Sequence, residues 1–110
     1  MGVSDEFVAG ELARAKRYTV VYLKQGPNSA HPEREALTMA HVRRNFDLKL
    51  DGSVAVVGPM RSAGDVVGLY IFNCGAEEAT RFIADDPAVQ AGIFVYEAQE
   101  MMAFPGDTLG

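Results

Sequence analysis

Apolar residues change their spacing several times along the chain, and each change predicts an element. Ser4 suits a helix N-cap, with Asp5 and Glu6 at the positive end of the helix dipole. Phe7, Val8, Leu12 and Ala15 then mark an amphipathic stripe that closes with Arg14, Lys16 and Arg17. Tyr18 to Leu23 is a dense β-branched, aromatic and aliphatic run, a first strand ended by Gly26-Pro27-Asn28-Ser29. Pro32-Glu33 opens a long helix that ends near Leu50, with Asp51-Gly52 as the stop. Val54 to Val57 and Val66 to Phe72 read as two strands, separated by Gly58-Pro59 and the turn residues Ser62 to Asp65. Glu77 and Glu78 begin a third helix with Ala79, Phe82 and Ile83 on its inner stripe. Pro87 stops that helix at Asp86. Ile93 to Ala98 is the last strand, followed by an irregular tail through Asp107.

Without the first helix the order is β-α-β-β-α-β, an α+β arrangement with a four-stranded antiparallel sheet and two helices on one face. Val54 to Val57 and Leu69 to Phe72 are apolar on both faces, whereas helices cover only one. A second subunit is the economical cover, so a homodimer through the open sheet face is expected. The length of 110 residues suits one domain, and 48% hydrophobic with 23% charged residues is the balance of a globular chain. The net charge of −5 repels phosphate backbones, and Arg43-Arg44, followed by Asp47, is too small a basic patch to offset it; no nucleic-acid partner is expected. One cysteine, Cys74, rules out an intrachain disulfide and suits a reducing compartment. The acidic N-terminus is unlike a signal peptide, and no apolar run approaches the ~20 residues that span a bilayer. The expectation is a soluble, cytoplasmic protein without a membrane partner.

The candidate chemistry centres on two residues. On the long helix, Met39, Val42, Phe46 and Leu50 form the main apolar face, while His41 sits roughly opposite on a narrower stripe with Leu37 and Leu48. The imidazole is either a pocket-facing proton-transfer group or, as spacing alone favours, a half-buried histidine bonded to backbone. Asp86, fixed by Pro87, is placed to cap the turn Ala88 to Ala91; its alternative role is to hold one imidazole nitrogen and raise the basicity of the other. Asp85 competes for either job. Arg34, seven residues before His41, either orients an anionic substrate or pairs with Glu33 or Asp47. His31 reads as a solvated loop residue, Cys74 as a small buried one, and Tyr22, Tyr70 and Tyr96 as sheet residues with polar tips. No ligand spacing such as HxxxH and no Gly-rich phosphate signature occurs, so neither a metal nor a cofactor is expected.

The stretches Tyr18 to Lys24, Arg34 to His41, Gly58-Pro59, Gly64 to Phe72 and Asp86 to Gly92 together resemble the YCII-related family, in order and with suitable spacings over about residues 18 to 100. The resemblance implies a ferredoxin-like fold that pairs into a dimeric α/β barrel. The domain would cover residues 18–100, preceded by an N-terminal helical extension at 1–17 and followed by a tail at 101–110. It also implies His41 and Asp86 as the catalytic pair, with Arg34 and Pro59 binding substrate. The activity so implied is acid–base work on a small cyclic or aromatic metabolite, of lyase or isomerase type. The competing expectation is a non-catalytic small-molecule-binding or accessory module that keeps the same fold.

Overall fold

The computed structural model describes residues 2–110; Met1, first residue of the expected extension, lies outside them. The elements are α1 (Asp5–Arg14), β1 (Lys16–Gln25), α2 (Arg34–Leu50), β2 (Val54–Pro59), β3 (Val66–Phe72), α3 (Ala76–Ala84), α4 (Pro87–Gln90) and β4 (Phe94–Ala103). The four strands form one antiparallel sheet in the order β2-β3-β1-β4. The fold is α+β and ferredoxin-like, with one additional N-terminal helix.

Strand pairing decides which side chains share a face. Val21 lies between Tyr70 and Ala98, and Leu23 between Gly68 and Tyr96. On this inner face Val21, Leu23, Tyr70 and Phe72 pack with Leu48 of α2, Ala79 and Ile83 of α3, and Ala88 of α4. The other face presents Val20, Tyr22, Leu69, Ile71 and Val56. It is mixed along β4, which sets Val95, Glu97, Gln99 and Met101 beside Lys24, Tyr22, Val20 and Tyr18.

Local chemistry accounts for most boundaries. The Phe7 N–H donates to Ser4 Oγ (3.1 Å), the expected cap of α1. Pro32 and Glu33 lie in a turn before α2, where His31 Nδ1 accepts from the Glu33 N–H (2.9 Å). Strand β4 continues to Ala103 rather than ending at Ala98, since Glu100 to Ala103 pair with Thr19 to Lys16. Met101 and Met102 are thus strand residues and not an irregular tail.

Helix α2 presents its narrower stripe, not its main apolar one, to the sheet. Its main apolar stripe is exposed, with Phe46 55% and Leu50 87% accessible, while the narrower stripe carrying Leu37, His41 and Leu48 faces the sheet. The inward face also holds the buried Asn45, so α2 turns His41 and Asn45 to the interior beside Leu37 and Leu48 and leaves its main apolar stripe outside.

Candidate active site

Two chain crossings bring the site together. The loop after β1 lies against the end of α4: the Gly26 N–H donates to Ile93 O (2.7 Å) and the Asn28 N–H to Gly92 O (2.9 Å). A Cβ on Gly26 would stand 2.2 Å from Gly92 O, so this approach requires glycine. Gly92 itself has φ +76°, the left-handed region that lets the chain turn from α4 into β4. These contacts hold Asp86, α4 and Phe94 beside the N-terminal half of α2.

Asp86 is fully buried and serves in both of its expected capacities. Its Oδ1 accepts from the Ala88 N–H (2.9 Å) and Val89 N–H (3.3 Å), capping α4, while Oδ2 lies 2.6 Å from His41 Nδ1. Neighbouring Asp85 is exposed and takes no part. A carboxylate against Nδ1 puts the imidazole hydrogen there and leaves Nε2 as the lone-pair nitrogen. The rest of the network agrees with that tautomer. Asn45 Nδ2 is 3.2 Å from Nε2 and donates to it, and the Tyr70 hydroxyl donates to Asn45 Oδ1 at 2.8 Å. The Tyr70 oxygen is itself 3.4 Å from Nε2. Arg44 reaches to 4.0 Å from Asp86 Oδ2, near enough for attraction but too far to hydrogen-bond.

Burial pushes the Tyr70 hydroxyl well above the usual tyrosine pKa. The negative charge of Asp86 adds to the rise, while the Asn45 bond and the Arg44 charge oppose it. Tyr70 therefore stays a neutral donor throughout the physiological range. The sequence candidates do not include Asn45, and they place Tyr70 in the sheet with a polar tip. Asn45 did carry a signal, since it lies one helical turn from His41 and must share its face.

His41, Asn45 and Tyr70 form one wall of a cavity of about 320 Å³ between α2 and the sheet. Arg34 and Pro59 line the same cavity, so all four residues singled out from the sequence lie at or behind one site. Arg34 pairs with neither Glu33 nor Asp47. Its guanidinium donates to Ser29 O (2.6 Å) and Gln25 Oε1 (3.3 Å) and stands 5.7 Å over the Phe94 ring. The remaining surface is largely apolar, supplied by Leu23, Val57 and Phe94. Among the described residues, Thr38 Oγ1 is a buried hydroxyl on this wall without a hydrogen-bond partner. Cys74 lies outside the cavity, its thiol pKa raised first by burial and then by Glu78.

The profile of the YCII-related domain matches residues 18–102. No curated protein matches the chain. Among solved structures the chain is similar to 5-chloro-2-hydroxyhydroquinone dehydrochlorinase from Burkholderia phenoliruptrix AC1100, determined in complex with 2,5-dihydroxybenzoquinone. That similarity has 25% identity and a TM-score of 0.57, covering 74% of this chain and 90% of the other. A structural-genomics protein from Agrobacterium tumefaciens is also similar, at 13% identity and a TM-score of 0.47, covering 86% of this chain and all of the other. A Rhodopseudomonas palustris protein of unknown function follows at 14% identity and a TM-score of 0.36, with 97% of each chain covered.

Proposed function

As the chain belongs to the YCII-related domain family, we propose that it is an acid–base enzyme that needs no cofactor and acts on a small cyclic or aromatic metabolite. One observation carries the reading: His41 is held through Nδ1 by the buried Asp86 carboxylate at 2.6 Å, and its Nε2 lies in the wall of a cavity large enough to admit a small ring compound. Nε2 is the general base. It takes a proton from an acidic C–H or O–H of the ring, and the electron pair left behind either moves within the ring or expels a leaving group. Asp86 stabilises the imidazolium that forms, then the proton returns to product or solvent. Such a shuttle contributes ~10²–10⁴ in rate. Arg34, anchored on Ser29 and Gln25, faces an anionic ring oxygen; Pro59 and Phe94 line the cavity as apolar contacts; Thr38 Oγ1 offers one further polar contact.

The dehydrochlorinase similarity supports this substrate class: that protein is named for a chlorinated hydroxyhydroquinone and was solved with a dihydroxybenzoquinone. Asn45 occupies Nε2 at 3.2 Å, a long bond that substrate would replace. The same contact favours a second reading, in which both imidazole nitrogens are satisfied structurally and the cavity binds a small molecule without converting it. We further propose that two copies pair through the open sheet face, where Val20, Tyr22, Leu69 and Ile71 are uncovered by helices. The test is a panel of chlorinated and unsubstituted hydroxyhydroquinones assayed for chloride release and isomerisation. Turnover by the wild type, lost in a folded His41→Ala variant, supports catalysis. Binding of 2,5-dihydroxybenzoquinone with no turnover of any panel member supports the second reading.

A further inference from the structure

Two apolar faces of this chain are unpartnered, and they complement each other. The first belongs to α1, which has no buried residue: Phe7 is 55% and Leu12 62% exposed, with Val8 beside them. A ten-residue helix containing glycine is marginal in water even when fully capped, because nucleation costs more than so few hydrogen bonds return. Its persistence calls for a surface to lie on. The second face is the Met39, Val42, Phe46, Leu50 stripe of α2, spaced 3-4-4 as a helix-packing seam is.

The two do not meet within one chain: α1 buries no residue, and Met39, Val42, Phe46 and Leu50 all stay exposed. Helix α1 joins β1 through Ala15 alone, in extended geometry (φ −56°, ψ 141°). It stands beyond the end of the sheet, where Lys16 to Tyr18 pair only with β4. Helix α2 starts at the Gln25 end of β1, where Arg34 bonds Gln25, and runs back toward the end where Val54 and Thr19 both pair with Phe72. The side-chain bond from α1 to the rest of the chain is Arg14 to Pro105 O, at 2.8 Å. The result is a radius of gyration of 16.3 Å and a longest extent of 56 Å, against roughly 13 Å for the radius of a compact chain of this length.

We infer that α1 is an exchanged arm, which packs its Phe7, Val8 and Leu12 side onto the α2 stripe of a second copy of this chain. Charge agrees with that occupant. Asp5 and Glu6 are exposed at the start of α1, and the C-terminal half of the stripe is bordered by Arg43 and Lys49 against a single Asp47. Val42 and Phe46 also line the His41 cavity, so the arm of one copy covers the mouth of the other copy's site. The inference requires a second copy but not the sheet-face pairing proposed above.

Hydrogen exchange read by mass spectrometry on the full chain tests it. In the wild type, amides of residues 5–14 should exchange about 100-fold slower than unprotected ones. Leu50→Asp and Phe46→Asp, both on the exposed α2 stripe and outside α1, should each bring them to within about threefold of the unprotected rate. Protection over Val66–Phe72 should persist, showing that the variants are folded. Unprotected α1 amides in a wild-type dimer would overturn the arm and leave sheet pairing standing. Protected α1 amides in a wild-type monomer, or protection unchanged in both variants, would overturn the arm as well.

Discussion

Asp86→Asn separates the two jobs that the carboxylate performs. Its Oδ1 caps α4 through two backbone amides and its Oδ2 holds His41. Asparagine caps a helix about as well as aspartate, so with its oxygen toward Ala88 and Val89 the cap survives. The amide nitrogen then faces Nδ1–H, donor against donor. Shifting the imidazole hydrogen to Nε2 relieves that conflict but creates another with Asn45 Nδ2. Flipping the amide instead restores the bond to His41 and breaks the cap. Whichever arrangement is adopted, one set is lost. The lost bond to His41 is buried and charge-assisted, worth about 1.5–3 kcal/mol. Asp86→Ala removes the cap as well, adding about 1 kcal/mol. Urea unfolding with unchanged m-values should therefore rank wild type above Asp86→Asn and that above Asp86→Ala. The expected steps are about 2 and about 1 kcal/mol. Histidine ¹⁵N shifts should show Nδ1 protonated in the wild type, and in the Asn variant either a changed tautomer or, where the amide flips, the same tautomer with the α4 cap lost. Equal stability of wild type and Asp86→Asn, with the imidazole tautomer unaltered, would refute the claim that this bond organises the histidine.

Other consequences concern the surrounding residues. Tyr70 keeps its proton in the folded chain above pH ~10, where an unfolded tyrosine loses it. The raised pKa thus contributes stability that is intact below pH ~10 and falls by up to about 1.4 kcal/mol per pH unit above it. The urea-midpoint advantage of wild type over Tyr70→Phe should be present at pH 8 and shrink by pH 11; a constant gap would contradict the assignment. Gly26→Ala forces a methyl against Gly92 O and should lower the thermal midpoint strongly, whereas Gly10→Ala, with open space around it, should not. Arg34→Gln should weaken binding of anionic 2,5-dihydroxybenzoquinone about 10–100-fold by titration calorimetry, since a charge-assisted contact is lost. Unchanged affinity would remove Arg34 from the site.

Where one physical rule governs a segment, the sequence was enough to read it. Ser4 and Asp86 cap as their side chains dictate, Pro87 sets its own boundary, and Val66 to Phe72 is a strand end to end. The orientation of α2 could not be read this way. Hydrophobic periodicity assumes that the apolar face turns inward, and here the inward face spends two of its positions on His41 and Asn45. For a similar reason the end of β4 reads as a tail, because Gln99 and Glu100 on an edge strand carry the pattern of solvated residues. Tyr70 was hidden by its setting, since alternation along β3 reports a face and not what lies across the interior. The cavity belongs to the packing of α2 over the sheet, which no local pattern encodes.

The central claim is that Nε2 of His41 exchanges protons with a ring held in the cavity. Deuterium wash-in tests it without knowledge of the full reaction. Hydroxyhydroquinone is incubated with the protein in heavy water, and ring-carbon deuteration is followed by NMR. The account predicts exchange by the wild type ~10²–10⁴-fold faster than by His41→Ala, with both proteins folded. Exchange at the same rate in the two, with 2,5-dihydroxybenzoquinone still bound, would contradict it.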